Sequence, residues 1–536
     1  MTSRRIVLRH VFDGGWSPDL SPRTLAGPDA SGLVRIPYLT TAENIVYELD
    51  GGPRKAPGTS KVNSSELESG AAIVGCYDCW FHGSSGTPAQ HRILNIGEKI
   101  KADDADGVFA DLFTGLNDSA IPTYTMLEDL LIIGLDGSDT IKSWDGSTAQ
   151  ALAGSPPNGA IVETHANRLW VTGVDSDPSG LYYSPLLDPE NTSGTGWGRI
   201  GVDPSDGDRI TAIKSYKGEL IVFKGPYKGS IHRISGTAPT GADAFRKVPR
   251  WVEGIGAAWQ NTLFRYGDDL GFMGFDGAIH SLKAVAAYGD FNEVALSRPI
   301  QSFLNRMNRS QLKIAWAASD VDTSGFVLFT VPIDGATENN AVFGMDYRFA
   351  GNGAPMRWFY WPAFEGISAS VMSGIDASAN NRRIYYFGGG DGYLRKGLQN
   401  NRSIDDTDAI RMLVASPYFD YGLPFNFKTA GGAYLQFAPK NNGNIDFIFK
   451  RDSNNQQTFE INQGAGDPLG TVTGMNFTLD ISTLAEATVL ERFIEADAVG
   501  EFRQIQYAFA NDVLNEDVEL HGFGLDMEAG SVSTEN

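Results

Sequence analysis

Residues 209–236, RITAIKSYKGELIVFKGPYKGSIHRISG, form the stretch that decides the predicted fold. They divide into a short strand at 210–216, a Lys-Gly turn, and a hairpin whose first arm at 219–223 is almost wholly apolar. The glycine- and proline-containing tip at 225–229 then reverses the chain into a return arm at 230–235. Glycine and proline supply the backbone angles that a tight reversal needs, so the stretch predicts one β-unit of a repeating protein.

The apolar arm of this unit recurs along residues 71–400. Its seven copies begin at Ile93, Leu130, Leu169, Leu220, Leu270, Val327 and Ile384. The intervals between them are 37, 39, 51, 50, 57 and 57 residues, close to the roughly 40–50 residues that one four-stranded propeller blade occupies. A further strand candidate precedes each arm. We therefore predict an all-β protein in which residues 71–400 form a β-propeller of about seven blades.

The arms are continuously apolar rather than alternating. Strands have this pattern when both of their faces are buried. Blades stacked around an axis provide such burial and leave only short sheet edges unpaired. The alternative is a pair of ordinary β-sandwiches, since the repeats are weak and their intervals unequal.

One helix is predicted, at residues 299–308, where Ile300, Phe303, Leu304 and Met307 share a face and Ser297 is placed to cap the start.

The regions on either side of the propeller have different patterns. Residues 1–70 contain short strand candidates between glycine- and proline-rich loops, and we predict that they form an extended N-terminal arm. Residues 401–424 form a polar linker. Residues 425–536 alternate cleanly, as in Ile445, Phe447 and Phe449, and sheets with one solvated face give that alternation. We predict a C-terminal antiparallel β-sandwich there.

Composition narrows the class of protein. The 62 glycines and 25 prolines disfavour a helical fold, and 42% hydrophobic residues supply ample core. The formal net charge of −22 argues against tight nucleic-acid binding, which needs lysine and arginine on the phosphates. Neither a signal peptide nor a membrane-spanning run is predicted. Two cysteines without a disulfide framework favour assembly in a reducing cytoplasm.

No catalytic, metal-binding or cofactor-binding residues are predicted. Cys76 and Cys79 form a lone CxxC motif, which lacks the second ligand pair of a structural zinc site, and in a strand their side chains point to opposite faces. Two groups of turn carboxylates lack the closing glutamate of a calcium loop. They are Asp103, Asp104 and Asp106, and Asp203, Asp206 and Asp208. Phosphate-binding, zinc-protease and serine-hydrolase motifs do not occur, so we predict that the protein is not an enzyme and has no cofactor.

Four segments resemble the tail nozzle proteins of short-tailed bacteriophages, the tail tubular protein B type. They are GGWSPDLSP at 14–22, AENIVYELDGGPRKAPG at 42–58, FKGPYKGSIHRISG at 223–236 and ASPYFDYGLPFNFK at 415–428. The resemblance implies a propeller-containing subunit that assembles into a hexameric ring below the adaptor and portal. Such a ring extends the DNA channel, gates DNA ejection, and carries or borders the tail fibres or needle. It transfers no catalytic residues.

The resemblance also implies the partners and the location. We expect a structural protein of the virion tail, assembled in the host cytoplasm, whose partners are its own copies, the adaptor protein and the tail fibre or needle proteins. Genome DNA passes through without specific binding, and an acidic wall repels its phosphates. The candidate contacts with a neighbouring subunit or partner are Trp16, Arg54, Lys55, Lys224, Pro226, Tyr227 and Lys228. The tip at 224–229 is also compatible with phosphate binding, although a plain hairpin tip is the simpler interpretation.

The alternative function is a carbohydrate-binding or carbohydrate-cleaving propeller, that is, a phage depolymerase or adhesin. Such a protein needs a funnel lined by aromatic side chains and paired carboxylates. The candidates for the funnel are Trp80, Trp170, Trp197 and Trp358. Packing of these aromatic side chains within the blades explains them more simply.

Overall fold

The computed structural model describes residues 5–532 except for positions 13, 20–22, 25–32, 37, 49–50, 84–85, 87, 138, 192–195, 289–294, 320–324, 349–355, 441–442, 453–454, 464–489 and 496–499. Strands hold 52% of the residues and helices 7%, which confirms the all-β prediction. Residues 464–489 belong to the region predicted as a sandwich, so that part of the prediction lies outside the described residues.

The chain forms two compact units, each built from separate pieces of sequence. Unit 1 comprises Met1–Ser60, Phe343–Ala363 and Leu398–Asn536, and unit 2 comprises Lys61–Val342 and Phe364–Gly397. This division differs from the predicted succession of arm, propeller, linker and sandwich. The reason is that strands near both ends of the chain share a sheet. The strand Arg5–Phe12 pairs with the strand Glu519–Val532, and Leu8 lies opposite Leu525. The strand Gly58–Lys61 carries the chain from unit 1 into unit 2.

Unit 2 has a six-bladed β-propeller arrangement built from separate antiparallel sheets. Blade 1 holds Ile73–Phe81, Ala89–Ile96, Lys99–Asp103 and Ala110–Phe113; blade 2 holds Thr123–Leu127, Leu130–Gly134, Lys142–Trp144 and Ala149–Ala151; blade 3 holds Ile161–His165, Arg168–Thr172, Gly180–Tyr183 and Gly198–Gly201. Blade 4 holds Arg209–Tyr216, Glu219–Gly225, Ser230–Ser235 and Arg246–Glu253; blade 5 holds Leu263–Tyr266, Asp269–Met273 and Ile279–Ser281; blade 6 holds Ser370–Asp376, Arg382–Gly388, Leu394–Gln399 and Gly58–Lys61.

The apolar arm of each blade is buried on both faces because the blade is enclosed between two neighbours. In blade 4, Leu220 and Val222 pack with residues of blade 3 such as Trp170. The intervening side chains, Ile221 and Phe223, pack with blade 5. Burying one such side chain contributes about 1.5–3 kcal/mol. Alternate residues of a single strand therefore stabilise two different interfaces, which confirms the prediction made from the continuous apolar pattern.

The predicted count of seven blades is wrong by one. The arm that begins at Val327 lies in a hairpin, Trp316–Ala318 with Phe326–Val331, between blades 5 and 6, and the sheet of this hairpin continues through Ala341–Asp346. Every residue of Phe326–Val331 is buried, so the apolar pattern does not distinguish this strand from a blade strand. The next strand, Ala341–Asp346, belongs to unit 1 from Phe343 onward. The hairpin therefore does not complete a separate blade within unit 2.

Blade 6 packs directly against blade 1. The Ser370 hydroxyl donates to the carbonyl of Ile73 at 2.7 Å. The backbone N–H of Ile375 donates to the Asp78 carboxylate at 2.9 Å. Because these contacts join the last blade in sequence to the first, the first strands of the blades surround a common axis.

Unit 1 contains two large sheets. The first has the strand order Leu33–Ile36, Arg5–Phe12, Glu519–Val532, Asn426–Ala438 and Leu490–Glu495, with Glu501–Phe502, Ile45–Tyr47 and Pro53–Lys55 beside it. The second has the order Arg23–Thr24, Tyr418–Phe419, Ile505–Asn511, Met412–Ala415, Thr41–Glu43, Arg357–Tyr360 and Ala341–Asp346, with Asn444–Arg451 and Asn455–Asn462 beside it. Ser403–Ile404 and Asp408–Ala409 form a separate pair.

Aromatic side chains from both sheets meet in the core of unit 1. His10 and Phe523 of the first sheet stack with ring centroids 4.3 Å apart, and Phe447 and Phe509 of the second stack at 4.6 Å. Tyr507 of the second sheet lies 4.5 Å from Phe523. Residues 445, 447 and 449 are buried while those between them are half-buried, so the alternation predicted for this strand is confirmed.

Helices are short in the part of the chain that the structure describes. The helix Leu282–Tyr288 was not predicted, and its residues Leu282 and Val285 pack on blades 4 and 5. The predicted helix at 299–308 is a 3-10 turn, Arg298–Ile300, followed by Gln301–Leu304. The remaining 3-10 helices are Glu68–Gly70, Gln260–Thr262, Arg309–Ile314, Pro362–Phe364 and Ala377–Ala379. Among the described residues, no helix has the length and apolar character needed to cross a membrane.

Candidate interaction site at the tip of blade 4

The tip of blade 4, residues 225–229, is held by a carboxylate of its own chain. Asp208, which directly precedes the first strand of the blade, is 2% exposed. Its carboxylate accepts from the backbone N–H of Tyr227 at 2.7 Å, of Lys228 at 2.9 Å and of Gly229 at 2.8 Å. Successive backbone amides that converge in this way form an anion-binding concavity, and bonds to an ionised acceptor are stronger than neutral ones. The conformation of the tip is therefore fixed by hydrogen bonds to Asp208 of the same chain.

The side chain of Lys224 is fully enclosed at the base of the tip. Its ammonium lies 2.7 and 2.8 Å from the two carboxylate oxygens of Asp206. It also donates to the carbonyls of Val202 at 2.7 Å and Asp203 at 2.9 Å, and to the Ser179 hydroxyl at 3.1 Å. Lys224 thus ties blade 4 to the loops beside blade 3. Its ammonium is engaged by acceptors of its own chain, and the partner contact predicted at this position stays a prediction.

An aromatic side chain from blade 5 supports the tip from the other side. A Cβ atom at Gly229 would lie 2.7 Å from Cζ of Phe275, and one at Gly225 would lie 2.9 Å from its Cδ1. Gly229 also has a φ of 72°, which a side chain disfavours. Both glycines are therefore required for the close approach of the Phe275 ring, and Gly229 for the turn as well.

Pro226, Tyr227 and Lys228 are the exposed residues of the tip. The Tyr227 side chain is 82% exposed, which is unusual for a large aromatic group on a braced loop. Tyrosine is enriched among the residues that dominate binding energies at interfaces, and a loop ordered before binding loses less entropy on association. The phosphate interpretation is not supported, because the Lys224 ammonium and the amides at 227–229 already bind Asp206 and Asp208. The tip is suited to contact a macromolecule through an aromatic ring and a lysine.

Trp16 and Arg54 make their contacts within unit 1. Trp16 is 8% exposed, and its ring stacks on that of Tyr360 with centroids 5.9 Å apart. The Arg54 guanidinium lies 2.5 Å from the Asp517 carboxylate and 2.8 Å from that of Glu48. Trp16 is therefore a core residue rather than a surface contact, and Arg54 has its charge neutralised by its own chain.

Lys55 is likewise enclosed in unit 1, with no exposed surface. Its ammonium donates to Oδ1 of Asn511 at 2.6 Å and to the carbonyl of Val513 at 2.9 Å. Burial lowers the pKa of Lys55 to about 8, against the opposing attraction of nearby carboxylates. The partner contact predicted for Lys55 likewise stays a prediction, while its ammonium is engaged by its own chain.

The other sequence-level candidates are packing residues. Cys76 packs between blades 6 and 1, and Cys79 packs between blades 1 and 2, so the two side chains do face opposite ways. The Asp103 carboxylate pairs with the Arg92 guanidinium at 2.5 Å. Asp106 accepts from the backbone N–H of Val108 at 2.8 Å. Within the described residues, no cluster of three His, Cys, Asp or Glu side chains has the geometry to hold a metal ion.

Two of the four tryptophans considered for a carbohydrate funnel are core residues. Trp170 and Trp358 have no exposed surface. Trp80 and Trp197 are half-buried. Of the four tryptophans considered for a carbohydrate-binding funnel, Trp80 and Trp197 therefore remain as candidates.

Sequence reasoning missed Asp208 and Phe275, the two residues that brace the tip. The carboxylates at 203, 206 and 208 were recognised as turn residues, but nothing in the local sequence links Asp208 to amides 19 residues further along the chain. Phe275 lies in another blade. The available signal in the sequence was an acidic residue, Asp208, that precedes a Gly-rich hairpin.

No protein-family model matches the chain, and neither does any curated protein. Solved structures do match it, at low similarity. The extracellular domain of a putative hybrid two-component system from B. thetaiotaomicron is 12% identical with a TM-score of 0.38, and the match covers 63% of this chain and 39% of that one. YCF48 bound to D1 peptide is 12% identical with a TM-score of 0.38, covering 66% and 98%. U3-55K is 10% identical with a TM-score of 0.38, covering 64% and 99%. None of the three is named as a bacteriophage tail protein.

Proposed function

We propose that this protein is a structural component of a bacteriophage tail that assembles into a hexameric ring, or nozzle. The ring extends the DNA channel below the adaptor and portal and gates DNA ejection. The observation that carries the proposal is the tip of blade 4, which lies in a segment that resembles nozzle proteins. Its amides are bound to Asp208 while the Tyr227 side chain is 82% exposed. A braced loop with an exposed aromatic ring is suited to a repeated contact between subunits.

In a ring with cyclic symmetry, every pair of neighbouring subunits makes the same contact. One loop of each subunit can therefore take part in every interface of the ring. In a heterologous interface, a patch on each subunit meets a different patch on the next, and the arrangement closes without further contacts. Tyr227, Pro226 and Lys228 are the residues proposed for one side of that contact. The formal charge of −22 supports a channel through which DNA slides, since an acidic wall repels phosphate.

The same proposal retains a β-sandwich for the C-terminal region. Two observations support it. The ring of Tyr507 lies 4.5 Å from Phe523 of the other sheet, and Phe447 lies 5.9 Å from the same ring. Side chains from two sheets then share one interior, which is the packing of a sandwich. In a tail protein, this region is proposed to contact the adaptor or the fibres.

The proposal is tested by native mass spectrometry and negative-stain electron microscopy of the purified chain, with and without Tyr227→Ala. We expect six-fold rings for the wild type and their loss in the variant. Tyr227→Phe, which keeps the ring, and Val108→Ala, at another exposed apolar side chain (73%), are the matched controls and should retain assembly. A chain that stays monomeric at all concentrations would overturn the proposal. An antibody raised against this protein that fails to label the tail of the bacteriophage particle would also overturn it.

Incubation with host surface polysaccharide provides the complementary assay. A structural ring protein releases no reducing ends. Their release by the wild type would favour the alternative, a carbohydrate-cleaving propeller, over the nozzle.

A further inference from the structure

A cavity of about 420 Å³ lies in unit 2 where blades 3, 4 and 5 meet. Its lining comes mainly from the first strands of these blades, Ile161–His165, Arg209–Tyr216 and Leu263–Tyr266. Leu270 of the second strand of blade 5 and Ser319, which follows the strand Trp316–Ala318, complete it. Ligand pockets in proteins commonly fall in the range of roughly 300–1,000 Å³. Most of the lining groups are polar, so the cavity suits a polar guest.

The charged side chains of the cavity leave an excess of one positive charge. Glu163 is 7% exposed. One of its oxygens lies 3.1 Å from the Lys214 ammonium, and the other accepts from the backbone N–H of Ser215 at 3.3 Å. Both carboxylate oxygens are therefore occupied by the protein. The third charged group is the guanidinium of Arg265, so the formal sum over the cavity is +1 in a chain whose net charge is −22.

Arg265 has donors to spare. Within the described part of the chain, its guanidinium makes one hydrogen bond, from Nη2 to the carbonyl of Ser215 at 3.3 Å. The Arg265 side chain is exposed, so the planar fork of the guanidinium is accessible. Such a fork binds carboxylate or phosphate through two parallel hydrogen bonds. Lys214, oriented by Glu163, supplies a second cation.

A hydroxyl completes the donor set. Ser319 Oγ accepts from the backbone N–H of Arg265 at 3.2 Å, which leaves its O–H proton available for an acceptor in the cavity. The Ser215 hydroxyl instead contacts Nδ1 of His165 at 2.9 Å. Burial lowers the pKa of His165, which favours the neutral ring beside Ser215.

The Ser215 and His165 pair does not have the geometry of a hydrolytic triad. In a triad, a third group hydrogen-bonds to the remaining nitrogen of the imidazole and orients it. Nε2 of His165 is buried and makes no hydrogen bond to any described residue. The polar groups of the cavity are therefore arranged for binding.

We propose that this cavity binds a small anion bearing carboxylate or phosphate oxygens, with Arg265 as the forked donor, Lys214 as the second cation and Ser319 as a hydroxyl donor. The anion is of monosaccharide size or smaller. This site is separate from the tip of blade 4, and its existence does not depend on the proposed assembly.

The test is isothermal titration calorimetry on the full chain with three probes: glucuronate, inorganic phosphate and glucose. We expect saturable binding of glucuronate, of phosphate or of both, and none of glucose, whose ring resembles glucuronate but carries no charge. Binding of glucuronate alone identifies a sugar-acid ligand, and binding of phosphate alone identifies a phosphate ligand. Arg265→Ala should weaken whichever anion binds by at least tenfold. Arg265→Lys, which keeps the charge but removes the fork, should weaken it less.

Lys313→Met is the matched control, since it removes the same charge at an exposed position outside the cavity. It should leave anion affinity unchanged. Three results would overturn the proposal: no saturable binding of either anion at millimolar concentration, glucose binding as tightly as glucuronate, or an affinity that Arg265→Ala and Lys313→Met lower equally. Circular dichroism of the two Arg265 variants separates a loss of binding from a loss of fold.

Discussion

The ammonium of Lys224 lies 2.7 Å from Oδ1 of Asp206, and the two side chains are 0% and 8% exposed. This buried ion pair joins the second strand of blade 4 to the loop that follows blade 3. Removing one partner of such a pair leaves the other charge buried without compensation, which is far more costly than losing a surface ion pair. Lys224 therefore stabilises the fold, whereas Lys228, four positions later, is exposed.

We predict that Lys224→Met lowers the free energy of unfolding by about 3–5 kcal/mol. The loss arises because the Asp206 carboxylate and the carbonyls of Val202 and Asp203 lose their donor. Lys228→Met, at an exposed position, should change it by less than about 0.5 kcal/mol. Urea unfolding followed by tryptophan fluorescence measures both. Similar values for the two variants would contradict the role assigned to Lys224.

Gly229 and Gly218 form a matched pair for testing the close packing of the tip against Phe275 and Ile255. Both have positive φ, 72° and 80°, so alanine is strained at either position by about 1–2 kcal/mol. At Gly218 a Cβ would meet no atom within 4 Å, whereas at Gly229 it would lie 2.7 Å from Cζ of Phe275 and 2.8 Å from the backbone Cα and C atoms of Ile255. We expect Gly229→Ala to cost about 1–3 kcal/mol more than Gly218→Ala, measured by thermal unfolding. Equal costs would indicate that Phe275 and the Ile255 backbone do not constrain the tip.

Lys55 makes stability depend on pH in the alkaline range. Its pKa is about 8 in the folded chain and 10.5 in the unfolded one. Between these values the unfolded chain holds more protons, so the contribution of Lys55 to the free energy of unfolding rises with pH. Below pH 8 the folded state bears the full cost of the buried charge. The rise approaches a limit on the order of 3 kcal/mol.

The difference between the wild type and Lys55→Met isolates this effect, since other titrating groups are common to both. The two stability profiles should diverge in favour of the wild type from pH 8 to 10. Lys55→Arg, which stays protonated throughout, should also lack the rise. Parallel profiles for the wild type and both variants would refute the prediction.

The two thiols should be unreactive in the native protein. Cys76 and Cys79 are 1% and 2% exposed, and burial raises the pKa of Cys76 to about 12 and that of Cys79 as well. Only the thiolate attacks a disulfide reagent. At pH 8, a chromogenic disulfide should therefore titrate no thiol before unfolding and two thiols in guanidinium chloride. Rapid reaction of either thiol in buffer would show that a blade interface opens.

The repeating part of the fold was largely predictable. The arms at Leu220 and Leu270 are strands buried on both faces, as their continuous apolar pattern indicated, because short-range pattern reflects burial. The count failed at Val327, whose strand has the same pattern but is not part of a separate blade. The hydrophobic pattern of a strand indicates which of its faces are buried. It does not indicate which sheet the strand joins.

The candidate site was predictable only in part. The reversal at 225–229 followed from its glycines and proline, and Pro226, Tyr227 and Lys228 are exposed as a surface contact requires. Lys224, Lys55 and Trp16 are also predicted contacts, and each lies in a segment that resembles nozzle proteins. All three are buried against their own chain. A lysine with an acceptor far along the sequence cannot be told from a surface lysine by its neighbours.

The sequence by itself determined that this is an all-β chain of repeated hairpins, since local preferences of Gly, Pro and apolar runs act over a few residues. It also determined where the hairpin tip of blade 4 lies. Only the tertiary structure decided that Arg5–Phe12 and Glu519–Val532 share a sheet, that Asp206 neutralises Lys224, and that Arg265, Lys214 and Ser319 meet in one cavity. These relationships join residues that are distant along the chain, and their energies depend on burial, which exists only after the blades have packed.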